Sequence, residues 1–145
     1  RVGFATGPVH LIELMTKCVE NVYSAVATPS QYAALVAFDK GMEAMMAMKK
    51  EYKKRRDFLV SRINEMDKIS CIMPKGAFYV FANIKKTGLS AEEFAERLLE
   101  KEHVAVIPGS NFSKNASGYV RISYGTSMEK IEDGLNRMER FLKSL

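Results

Sequence analysis

The chain has 145 residues, 47% of them hydrophobic, enough for one ordinary domain with a sizeable core. Its 22 basic and 17 acidic residues leave a net charge of +5, a mixed surface that gives no strong pull toward nucleic acid. No apolar run is long enough to span a membrane, no signal peptide is visible, and two distant cysteines without CxxC or His spacing suggest neither zinc nor a disulfide framework.

Val2 to Thr6 reads as a short strand ending at Gly7-Pro8, with Pro8 pre-set for the first position of a helix. Leu11, Ile12, Met15, Val19 and Val22 recur at helical spacing. Thr28 and Gln31 are predicted to form a capping box that opens a second helix, and Gly41 to bend or break it. Leu35, Phe38, Met42 and Met45, then Tyr52, Leu59, Ile63 and Met66, carry one apolar stripe to about Glu65, interrupted by Lys49 and Arg56. The methionines at 42, 45, 46 and 48 read as adaptable core packing.

Ile69 to Met73 and Ala77 to Asn83 are expected as two strands joined across Pro74-Lys75-Gly76. Ser90 and Glu93 form a second capping box, with Ala91, Phe94, Ala95, Leu98 and Leu99 pointing inward. Val104 to Ile107 is a short strand stopped by Pro108-Gly109, and a polar loop, Ser110 to Ser117, leads to another strand ending at Tyr124. Thr126 and Glu129 are predicted to cap a last helix on which Met128, Ile131, Leu135, Met138, Leu142 and Leu145 share one face. From about Met46 onward the order is helix, two strands, helix, two strands, helix, an α+β layer.

Few residues suggest chemistry. In Gly118 to Tyr124, alternation puts Val120, Ile122 and Tyr124 on one face and Tyr119, Arg121 and Ser123 on the other. A guanidinium fixed on a strand and flanked by hydroxyls can give two parallel hydrogen bonds to a carboxylate, which Lys cannot reproduce. The alternative is an edge-strand Arg paired with a neighbouring Glu. Gly76 to Phe81 places aromatic residues directly after a tight turn, which an ordinary core strand would also explain. The run Lys49, Lys50, Lys53, Lys54, Arg55, Arg56 reads as a solvated helix face, with a basic interaction module as the other reading. His10 and His103 are isolated, His103 reading as a surface or capping residue, and no metal-binding constellation is present.

Six segments appear in order: Arg1-Val-Gly-Phe-Ala-Thr-Gly-Pro, Thr28-Pro-Ser-Gln, Arg55-Arg-Asp, Pro74-Lys-Gly-Ala-Phe-Tyr-Val-Phe, Val106-Ile-Pro-Gly-Ser and Tyr119-Val-Arg-Ile-Ser-Tyr. Together they resemble the carboxy-terminal part of a pyridoxal-phosphate-dependent aminotransferase of the aspartate aminotransferase (class I/II, fold type I) family. The resemblance implies an α+β fold: residues 46–145 as the family's small domain, and residues 1–45 as a strand and helices left over from the large cofactor domain, with the boundary between about Glu43 and Lys50. It implies that Arg121 binds the substrate α-carboxylate, that Gly76 and Phe78 face the substrate, and that Arg1 contacts the cofactor phosphate. It also implies pyridoxal 5'-phosphate as cofactor, an amino acid and a 2-oxo acid as substrates, a homodimer, and an approach of the Thr28-Pro29 region to the partner's active site; a cytoplasmic location is expected from the two reduced cysteines.

Because the chain starts on Arg and lacks the family's Schiff-base lysine, it is expected to be a fragment that needs the missing N-terminal portion. Alone it is expected to be inactive and to bind no cofactor. A carbon–sulfur β-lyase or an aminocyclopropane-carboxylate-synthase-like enzyme of the same superfamily would share Arg121, so these residues do not separate them.

Overall fold

The computed structural model describes residues 2–145 and divides into two compact units, one ending at Met48 and one formed by Lys49–Leu145. The first unit holds helix α1 (Val9–Tyr23), helix α2 (Thr28–Lys40) and the start of helix α3 (Met42–Glu65). None of the residues of α1 or α2 is buried. Their apolar stripes, including Leu11, Leu14, Met15, Leu35 and Phe38, lie open, and Phe4 meets Phe38 edge-on at 5.7 Å.

Several expectations for this unit are corrected. Val2 to Thr6 is not a strand: no described segment pairs with it, and a lone strand leaves its amide groups without a ladder. Pro8 is the residue before α1 rather than its first member. The capping box at Thr28 and Gln31 does not form. Ala27 precedes the helix, Pro29 lies in the first turn where no N–H is needed, and Gln31 Nε2 donates back to the Val26 carbonyl at 2.8 Å. Met42, Met45, Met46 and Met48 are exposed instead of packed.

The second unit contains the core. Leu59, Val60 and Ile63 of α3 meet Phe94, Ala95 and Leu98 of helix α4 (Ala91–Glu102) and Ile131, Leu135, Met138, Phe141 and Leu142 of helix α5 (Met128–Lys143) in one buried cluster. Phe94 and Phe141 contact edge to face at 5.3 Å. Leu99, expected inward, is exposed: it follows Ala95 by one turn, and Ala95 is already the least buried of the inward four, so Leu99 falls at the solvent edge of the apolar stripe.

Against this layer lies a four-stranded antiparallel sheet of β1 (Ser70–Cys71), β2 (Tyr79–Asn83), β3 (Ile107–Pro108) and β4 (Tyr119–Ser123), in the order β1-β2-β4-β3. The strands are shorter than the apolar runs suggested, because only the residues in register make a ladder. Asn64 of α3 holds β1 in place, donating from Nδ2 to the Cys71 carbonyl at 3.1 Å and accepting from the Cys71 amide at 2.9 Å. In β2 and β4, Val80, Ala82 and Val120 are buried in the core, and Ile122 packs against it. The opposite residues, Tyr79, Phe81, Tyr119, Arg121 and Ser123, stand on the sheet's other face.

The helix caps show how local chemistry acts here. Ser90 accepts from the Glu93 amide while the Glu93 carboxylate accepts from the Ser90 amide, the reciprocal capping box expected for α4. His103 ends that helix in the left-handed conformation, its amide donating to the Leu99 carbonyl. At α5, Ser127 and not Thr126 is the cap, accepting from the Lys130 amide. Two adjacent hydroxyls qualify equally on composition, and the path of the chain after Tyr124 selects the second.

Candidate functional site

Arg121 occupies the middle of β4, opposite Phe81 of β2 on one side and Ile107 of β3 on the other. The strand is interior to the sheet, so the edge-strand alternative does not hold. Nor does Arg121 have a carboxylate within ion-pairing distance among the described residues. Aromatic rings take that place. The guanidinium carbon lies 4.5 Å from the centre of the Tyr79 ring and 4.6 Å from that of Phe112. Phe81 completes the cradle, meeting Phe112 edge-on at 5.7 Å.

The two flanking hydroxyls anticipated from the sequence do other work. Ser123 Oγ accepts from the Gly125 amide at 3.2 Å, and the Tyr119 ring lies under Lys85 Nζ at 5.2 Å. Tyr79 and Phe112 were missed. Tyr79 is legible in the sequence by its strand parity with Phe81, whereas its place level with Ser123 comes from the strand register. Phe112 has no such signal, since it is a lone aromatic in the polar segment Ser110 to Ser117. That loop folds into two 3₁₀ turns, Gly109–Asn111 and Lys114–Ala116, which return Phe112 over the sheet.

Of the other two residues expected on the substrate side, Gly76 lies in the connection before β2 and Phe78, expected inside the strand, lies just ahead of it. The Phe78 ring stacks on Tyr52 of α3 at 6.0 Å and lies 4.4 Å from the Tyr79 ring. Phe78 is therefore joined to Arg121 through Tyr79, whereas Gly76 has no contact that ties it to Arg121. Arg1 lies outside the described residues.

The basic run of α3 is partly neutralised. Glu51 pairs with Arg55 at 3.2 Å and with Lys54 at 3.8 Å, and Arg56 pairs with Asp57 at 2.6 Å while donating to the Pro74 carbonyl. Lys49, Lys53, Arg56 and Lys75 rim an open cleft of about 510 Å³ floored by Tyr52, Phe78 and Tyr124. No carboxylate lines it. A pyridoxal phosphate needs a lysine together with a partner for its ring nitrogen, so this cleft does not fit that cofactor. No cluster of His, Cys, Asp and Glu suited to a metal ion occurs among the described residues.

The family model of aminotransferase class I and II matches residues 1–138. The chain belongs to this family. It is 46% identical over 145 residues to an aspartate aminotransferase of Pyrococcus horikoshii, covering 99% of this chain and 37% of that protein. Over the same share of both chains it is 41% identical to aromatic-amino-acid aminotransferase 2 of Thermococcus litoralis. The crystal structure of an aromatic aminotransferase from Pyrococcus horikoshii superposes with a TM-score of 0.87 at 44% identity, covering 94% of this chain and 37% of that one. The chain thus spans little more than a third of these aminotransferases. Its mixture of helices with a small antiparallel sheet is the fold of the matching part of fold-type I aminotransferases.

Proposed function

We propose that this chain is the substrate-clamping part of a pyridoxal-phosphate-dependent aminotransferase that moves an amino group between an amino acid and a 2-oxo acid. The observation that carries the reading is Arg121. It is a cation on an interior strand, faces away from the core, is held between two aromatic rings, and has no carboxylate of its own among the described residues. Such a group is oriented yet electrostatically unsatisfied, which suits the α-carboxylate of an amino acid.

The cofactor supplies the electron sink of the reaction when bound. The described residues do not build its site, so the rest of a full-length enzyme would have to supply the Schiff-base lysine, and Arg1 is proposed to reach the cofactor phosphate. In this reading residues 46–145 form the small domain and residues 1–45 belong to the large one. The full-length enzyme would act as a homodimer, and Gly76 and Phe78 would border the substrate.

Full-length enzyme carrying Arg121→Ala tests the proposal by its steady-state kinetics. Truncating a buried charged contact costs about 2–5 kcal/mol, so kcat/KM for amino-acid substrates is expected to fall accordingly. Arg121→Lys restores only part of it, because an ammonium cannot form the parallel pair. Unchanged constants for Arg121→Ala would remove Arg121 from the site.

A further inference from the structure

Ala77 has φ 59°, a left-handed backbone that a residue with a β-carbon seldom adopts without outside support. Support is present. The Tyr124 hydroxyl donates to the Ala77 carbonyl at 2.9 Å across 47 residues of chain, and the Tyr124 amide donates to the Phe78 carbonyl, also at 2.9 Å. Tyr124 is the largest of the fully buried side chains, with its ring set edge-on to Tyr52 at 6.3 Å. Its position three residues beyond Arg121 makes it the continuation of β4. One tyrosine therefore ties the end of the arginine strand to the turn that launches β2.

That turn decides where two rings point. Phe78 follows Ala77 directly and packs beside Gly125, with its ring 4.4 Å from Tyr79. Tyr79 in turn carries the Arg121 guanidinium on its face. Burial raises the Tyr124 hydroxyl above its ordinary pKa, so it stays protonated and able to donate at any physiological pH.

We propose that Tyr124 is a positioning residue: by holding Ala77 in its left-handed turn it fixes Phe78 and Tyr79, and through Tyr79 it sets the orientation of the Arg121 clamp. Substrate contact is not part of its role. The inference rests on the reading of Arg121 as the carboxylate clamp, but its structural half can be tested separately.

The decisive variant is Tyr124→Phe in the full-length enzyme, which deletes the hydroxyl and keeps the buried ring. KM for the amino-acid substrate is expected to rise about three- to tenfold, the size of one hydrogen bond's net contribution, with kcat changed by less than about twofold. A merely structural role would lower the melting temperature and the active fraction while leaving KM alone. Ala77→Gly added to Tyr124→Phe should recover part of the lost KM, because glycine takes a positive φ unaided. Amide hydrogen exchange gives the second arm: exchange at position 124 and at Tyr79 should accelerate in Tyr124→Phe. Unchanged KM with accelerated exchange would overturn the link to the clamp, and unchanged exchange would overturn the proposal outright. If the wild-type enzyme itself showed no amino transfer, the functional reading would fail, and the exchange arm would still decide whether Tyr124 holds the turn.

Discussion

A guanidinium lying between aromatic faces exchanges part of its hydration for attraction to the rings, worth about 0.5–2 kcal/mol depending on how dry the site is. In Arg121 this attraction fixes direction without cancelling charge, so the group stays available to an anion. Phe112→Leu removes one ring and keeps an apolar side chain. It is expected to weaken amino-acid binding by the full-length enzyme by no more than about that energy, well short of the loss from Arg121→Ala. Isothermal titration or KM measurement with both variants checks the ranking.

The cysteines separate at the same scale. Burial pushes the Cys71 thiol up to about 11 from 9.0, whereas Cys18 is exposed on α1. The thiolate is the reactive form, so a thiol reagent at pH 8.5 should label Cys18 and spare Cys71 in the folded protein, as read by peptide mass mapping. The stability consequence has a definite sign. Folding favours the protonated Cys71 thiol, so its contribution is complete below about pH 9 and is lost as the pH climbs through about 11. Denaturant midpoints across that window should fall.

Elements begin and end where a particular atom satisfies a particular amide. Ser127 Oγ caps α5, and the neighbouring Thr126 does not. Ser127→Ala should therefore cost about 1 kcal/mol of stability by chemical denaturation and Thr126→Ala far less. Equal losses would return the cap to Thr126. The loop between β3 and β4 has an equally specific requirement at Gly109. A β-carbon there would run into the carbonyls of Ala116 and Tyr119, so Gly109→Ala must shift the two 3₁₀ turns. Since those turns carry Phe112, the variant should lower both the melting temperature and substrate affinity in the full-length enzyme.

At the scale of the molecule, the two units differ in what they bury. Lys49–Leu145 encloses a contiguous core with capped helices and a paired sheet. The unit ending at Met48 leaves Phe4, Leu14, Val22, Leu35 and Phe38 exposed, and none of the residues of α1 or α2 is buried. Exposed apolar stripes on two successive helices drive association when nothing else covers them. The 145-residue chain studied alone is expected to self-associate in light scattering, and amide exchange should show strong protection in residues 49–145 and weak protection in residues 2–40. Strong protection of residues 2–40 in a strictly monomeric sample would contradict this.

Much of this was legible in the residues themselves, because it depends on short-range periodicity and capping chemistry. The break at Gly41, the α4 capping box, the α5 stripe and the alternation that separates Arg121 from Val120 all follow from neighbours within four positions in the chain. The family was legible too, since six short segments in order carry its signature. Other features had no local signal. Whether Val2 to Thr6 becomes a strand depends on a partner, and whether the methionines of α3 are covered depends on what packs there. Only the fold brings Phe112 back over Arg121, or places the Tyr124 hydroxyl on a carbonyl 47 residues away. A sequence specifies which face a side chain takes on its own element; which ring or carbonyl it then meets is decided by strand register and loop path, which arise only when distant segments pack.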